Sequence, residues 1–170
     1  MTKRKLAVGG LVVIAALIAT TATLRHGLTS STALHVPATI DATGATDVTR
    51  KLNAFLRSVP NDSTVVFGAK ARYKAEGTVF LQFKQGIHVE GNDARIFAET
   101  DGSGFMPDPN APWFNPRGWP GNRSHFLLYH DTDITVSHLR TRGPNPGGPG
   151  TYNPNLEGQA GIEISACVRC

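Results

Sequence analysis

The feature that most limits what this chain can fold into is a recurrence of apolar residues in register. Laying residues 79–89 over 126–136, an offset of 47, brings Val79 onto Phe126, Leu81 onto Leu128, Ile87 onto Ile134 and Val89 onto Val136. A further offset of 36 brings Ile162 onto Phe126 and Ile164 onto Leu128. A short unit repeated in this way cannot bury its apolar face alone and must stack on its neighbour, which is the signature of a solenoid. The β-favouring runs 65–67, 78–83, 87–89 and 95–98 are short, and Gly68, Gly77, Gly86 and Gly91-Asn92-Asp93 separate them. Such runs suit a chain that bends repeatedly. Glycine and proline, 18 and 11 of the 170 residues, are too frequent for a helical bundle or coiled coil.

One soluble stretch has a helical period instead. Val48, Leu52, Phe55, Leu56 and Val59 fall at i, i+4, i+7, i+8 and i+11, Thr46 or Asp47 can cap the start, and Pro60 ends it. The spacing predicts a helix over about 47–59. Its single apolar stripe suits a cap over the N-terminal end of a solenoid core. In the third copy of the repeat, Cys170 takes the position of Ile87 and Ile134, where a strand opens. The expectation is therefore an incomplete domain over 38–170, the N-terminal part of a longer design.

Ahead of it, Lys3-Arg4-Lys5 precedes an uncharged stretch, 6–24. A basic head before an apolar run is the layout of a secretory signal, and 19 uncharged residues also suffice for a bilayer-spanning anchor. Residues 1–26 are thus read as a signal peptide or a membrane anchor, and 27–37 as a polar tether. Either reading places the remainder outside the cytoplasm, with membrane contact only through the N-terminal segment. The formal charge of +4 comes from Lys3, Arg4, Lys5 and Arg25; from residue 27 onward basic and acidic residues balance, so no nucleic-acid partner is expected. Cys167 and Cys170 form a C-x-x-C whose redox or zinc uses both need further partners, so they are read as two small residues of a strand. No metal site is expected and no cofactor is assigned.

The segments IDATGATDVTRKLNAFL (40–56), STVVF (63–67), Tyr73 and IHVEGNDARIF (87–97) resemble the opening of right-handed parallel β-helix proteins of the pectate-lyase-like superfamily. There a G-x-T-D-x-T segment, here 44–49, starts a capping helix. The chain departs from the pattern before Tyr73, where Gly68 and the residues after it replace the usual Pro-x-Gly. The resemblance implies an all-β, right-handed parallel β-helix with an N-terminal capping α-helix, exported and associated with polysaccharides. Its enzymes are polysaccharide lyases or glycoside hydrolases; the alternative is a non-catalytic glycan-binding or structural module of the cell surface.

Hydrolysis needs two opposed carboxyl groups, and β-elimination needs a base beside an acidic sugar carbon with its carboxylate neutralised. No residue is assigned to either role. Asp131 and Asp133 align with 84–86, a corner between strands, where aspartate is a turn former. Arg123, His138, Arg140 and Arg142 concentrate anion-binding side chains; on an extended strand the last three share a face, which suits the carboxylates of an acidic glycan. The insertion 101–122 carries both tryptophans, Trp113 and Trp119, which suit stacking on sugar rings or packing against the flank. The expected substrate contacts are Trp113, Trp119, Arg123, His138, Arg140 and Arg142.

Overall fold

The computed structural model describes residues 32–100, 124–145, 150–151 and 160–170. Among these described residues ten strands and one helix follow in the order β1 Thr32–His35, α1 Thr49–Ser58, β2 Ser63–Val66, β3 Arg72–Lys74, β4 Val79–Gln82, β5 His88–Glu90, β6 Arg95–Phe97, β7 Ser124–Tyr129, β8 Thr135–Ser137, β9 Arg140–Arg142 and β10 Ala160–Ser165. They form three parallel sheets, ordered β1-β2-β5-β8, β3-β6-β9 and β4-β7-β10. The chain passes through the three in rotation, so each circuit lays one new strand on every sheet.

The register is the one read from the sequence. Val79 faces Phe126 and Leu81 faces Leu128, Val89 faces Val136, and Ile162 and Ile164 pair with Phe126 and Leu128. Isolated parallel bridges from Gln85 to Thr132 and from Thr132 to Val168 carry it between sheets. Alternate side chains of every strand point inward. The inward columns, Val65 with Val89, Tyr73 with Ile96, Val79 with Phe126, and Leu81 with Leu128, are buried in one core. At the far end of the stack Ile162, Ile164 and Val168 are exposed.

Strands this short need corners at every third or fourth residue, and those corners repeat as strictly as the strands. Asp62, Gly86, Asp133 and Arg169 all have positive φ, and the first three donate N–H to Gln85, Thr132 and Val168 of the next circuit. Phe83, His130 and Ala166 form a second such column, and Lys70, Asp93 and His138 a third. Only one of these ten residues is glycine, although the left-handed region favours it. The inter-circuit hydrogen bonds impose the conformation, which is why glycine spacing alone did not disclose the columns. Asp131, buried at the second corner, accepts N–H bonds from Lys84 (2.7 Å) and Tyr129 (2.9 Å), in keeping with its reading as a turn former.

The helix occupies Thr49–Ser58, inside the expected 47–59. Its N-cap position is Val48, which offers no side-chain cap. Asp47, one residue earlier, accepts from the Thr49 N–H at 3.0 Å and its hydroxyl at 2.6 Å, while Thr46 turns back to Asp41. Leu52 and Leu56 are buried against the core, and Val59 is extended because Pro60 follows. The helix stands where the first circuit lacks a strand beside β4. The Asn53 carboxamide accepts from Phe80 N–H (3.0 Å) and donates to Thr78 C=O (2.8 Å), and Lys84 Nζ donates to the last carbonyls, of Arg57 and Val59.

Two expectations are corrected. Within the segment read as a tether, Thr32–His35 form β1, paired residue for residue with Ser63–Val66; its Ser/Thr content hid a strand that covers the edge of β2. Cys167 and Cys170 are not strand residues: they are joined by a disulfide whose Cα atoms are 6.1 Å apart, after β10 has ended. Residues 1–26, read as signal or anchor, lie outside the described residues, among which no helix is long and apolar enough to cross a membrane.

Candidate anion-binding face

The outward side of the β3-β6-β9 sheet stacks its basic residues in register. Arg72 pairs with Arg95, and Arg95 with Arg140, so three arginines stand one above another at about the 4.8 Å strand spacing. Two positions along, Lys74, Phe97 and Arg142 form a parallel column. On the other flank lies the corner column of Lys70, Asp93 and His138. Lys70, Arg72, Asp93, Arg95 and Arg140 line a cleft of about 300 Å³.

The cations differ in how they are held. Arg140 donates to Asp93 Oδ1 from Nη2 (2.8 Å) and Nε (3.2 Å), and this bond holds the Asp93 carboxyl below its ordinary range. The Arg72 guanidinium lies 5.1 Å from the centre of the Phe97 ring, an attractive cation–π arrangement. Lys74 is paired with Glu99 at 2.6 Å. Arg95 and Arg142 make no side-chain ion pair or hydrogen bond among the described residues. Guanidinium groups keep their charge and present a planar fork that matches carboxylates and other oxyanions two bonds at a time. Like charges directly opposite in a sheet repel, so the central arginine of this ladder is placed for an external anion.

Of the expected contacts, Arg140 lines the cleft and Arg142 stands exposed on the same strand. His138 does not share their strand: with φ 51° it turns the corner between β8 and β9, and its Nδ1 lies 3.1 Å from Glu90 on the β5 side. The extended reading of 138–142 fails there because the corner hydrogen bonds interrupt it. Trp113, Trp119 and Arg123 lie outside the described residues. His125, two residues after Arg123 in the sequence, is buried on β7.

Sequence reasoning missed Lys70, Arg72 and Arg95. The signal was available as R-Y-K, R-I-F and R-T-R at 72, 95 and 140, but their spacings of 23 and 45 differ from the offsets that align the other sheets. No group of three or more metal-ligating side chains gathers among the described residues. Comparison with protein-family models, characterised proteins and solved structures finds no match to this chain.

Proposed function

We propose that the chain is an exported, right-handed parallel β-helix of the pectate-lyase-like kind, and that its β3-β6-β9 face binds an acidic polysaccharide. The observation that carries the reading is the in-register ladder Arg72–Arg95–Arg140 beside a cleft. A ladder of like charge costs stability unless an anion bridges it, and a linear polyanion running across the strands meets one guanidinium per circuit. The right hand is supported by the general rule that parallel crossovers are right-handed in about 98% of cases. Export is supported by the basic head and apolar run at the N-terminus, and by the Cys167–Cys170 disulfide, since such bonds persist in oxidising compartments.

Binding is favoured over bond cleavage, because among the described residues the one carboxylate lining the cleft, Asp93, is engaged by Arg140. Cleavage by a lyase or glycoside hydrolase rests on the resemblance alone. The test is affinity electrophoresis of the full chain in gels containing polygalacturonate or neutral dextran, with new reducing ends and unsaturated-uronate absorbance followed in parallel. Retardation by the acidic polymer alone, lost in Arg95→Ala, is expected. Equal mobility in both gels would remove the reading, and product formation would move it from module to enzyme.

A further inference from the structure

We propose that Asp93 is a built-in competitor of the ligand: its carboxylate takes the Arg140 fork that a uronate would otherwise take, and so limits how tightly this face holds an acidic glycan. The inference rests on the glycan-binding reading and adds a restraint within the same cleft. Asp93 lines that cleft with Lys70, Arg72, Arg95 and Arg140. Its Oδ1 accepts from Arg140 Nη2 at 2.8 Å and from Nε at 3.2 Å. One edge of the guanidinium is therefore filled by the same group, a carboxylate, that a uronate carries.

The backbone brings the two groups together. Asp93 turns the corner between β5 and β6 with φ 60°, and its N–H donates to the His138 carbonyl of the next circuit at 2.8 Å. The Arg140 N–H donates back to the Ala94 carbonyl at 2.9 Å, which sets the arginine of β9 beside this corner. Arg140, through its hydrogen bond first and its charge second, holds the Asp93 carboxyl below its ordinary range, so the competitor is ionised at neutral pH. The pair is nevertheless open to exchange: the side chains of Asp93 and Arg140 are 49% and 59% exposed, and ion pairs so exposed are weak. A ligand carboxylate that reaches Arg140 replaces one carboxylate by another and leaves the Asp93 charge beside it in the cleft. Asp133 supplies an internal control. It turns another corner with φ 54° and is paired through both carboxylate oxygens with Arg169, yet it does not line the cleft. Removing either carboxylate frees one arginine and changes the net charge equally, but only Asp93 stands where the ligand is placed.

The experiment is equilibrium binding of polygalacturonate to the full chain at neutral pH, for wild type, Asp93→Asn and Asp133→Asn. Asparagine tolerates the left-handed backbone of both corners, and Asp93→Gly, which suits it as well, is a second variant lacking the carboxylate. Both Asp93 variants are expected to bind roughly three- to ten-fold tighter than wild type, from an ion pair no longer broken and a like charge removed. Asp133→Asn should stay within about two-fold of wild type, because solvent and salt screen a charge outside the cleft. Adding Arg140→Ala to Asp93→Asn should abolish the gain. Asp93 variants that bind no tighter than wild type, an equal gain in Asp133→Asn, or a gain that survives Arg140→Ala overturns the inference and leaves the glycan reading standing. Absence of binding in all of these proteins overturns the glycan reading and the inference together.

Discussion

Asn53 and Phe80 are related as residues of two paired strands are, although Asn53 belongs to a helix. Its side-chain amide accepts from the Phe80 N–H and donates to the Thr78 carbonyl, the two backbone groups that a parallel neighbour of Val79 would engage. The open edge of the β4-β7-β10 sheet is thus closed by a carboxamide mimicking a peptide unit. Replacing Asn53 by Ala removes both bonds at a partly buried edge. It is expected to cost about 1–3 kcal/mol, read as a lowered urea midpoint with faster amide exchange at Phe80.

Arg95 is the middle of the arginine ladder and makes no ion pair among the described residues. Arg95→Ala relieves repulsion from two strand neighbours, so stability should rise by about 0.2–1 kcal/mol while polyanion binding falls. The opposite signs separate a binding residue from a structural one. A fall in both thermal midpoint and binding would show that Arg95 holds the sheet instead.

Three arginines in register set a minimum ligand. Affinity for oligogalacturonates should climb steeply up to three charged units and little beyond, because each unit adds one guanidinium contact. Calorimetric titration with a size series checks this, and a smooth rise with length and no break would point to diffuse charge attraction.

Glu90 gives the fold an acid limit. Its carboxyl is held at about 2 against an ordinary 4.5, so its stabilising contribution is complete above about pH 4.5 and is lost as the pH falls towards 2. Asp41, whose carboxylate accepts from Thr43 and Thr46, is shifted in the same direction. The urea midpoint should therefore decline between these limits, and Glu90→Gln should flatten part of the decline while lowering stability near neutrality.

Gly91→Ala puts a methyl group against the His138 carbonyl, a backbone atom that cannot swing aside. The circuits must separate locally, at a cost of about 2 kcal/mol or more. Amide exchange should quicken at Asp93 and Ala94 and leave the α1 end of the stack unaffected.

How far the chain could be read depended on what each feature is made of. The apolar columns were legible because burial on both sides of a stacked strand admits only apolar side chains at Val79, Phe126, Leu81 and Leu128, and such a constraint writes itself into composition. The capping helix was legible from the spacing of Leu52 and Leu56. The strand Thr32–His35 was not, because a strand covering a sheet edge needs its backbone more than its side chains. Of the candidate site, Arg140 and Arg142 were found as a local cluster, whereas His138 was misplaced by assuming an unbroken strand through 138–142.

What the sequence alone determined is the period of the stack, the helix at its start and the absence of a net charge after residue 27, all of which follow from residue type and spacing. What only the tertiary structure decided is which residues share a column. Arg72, Arg95 and Arg140 lie 23 and 45 positions apart, and insertions of different length separate them. They become neighbours because parallel strands pair through backbone hydrogen bonds, which take no account of the length of chain between them.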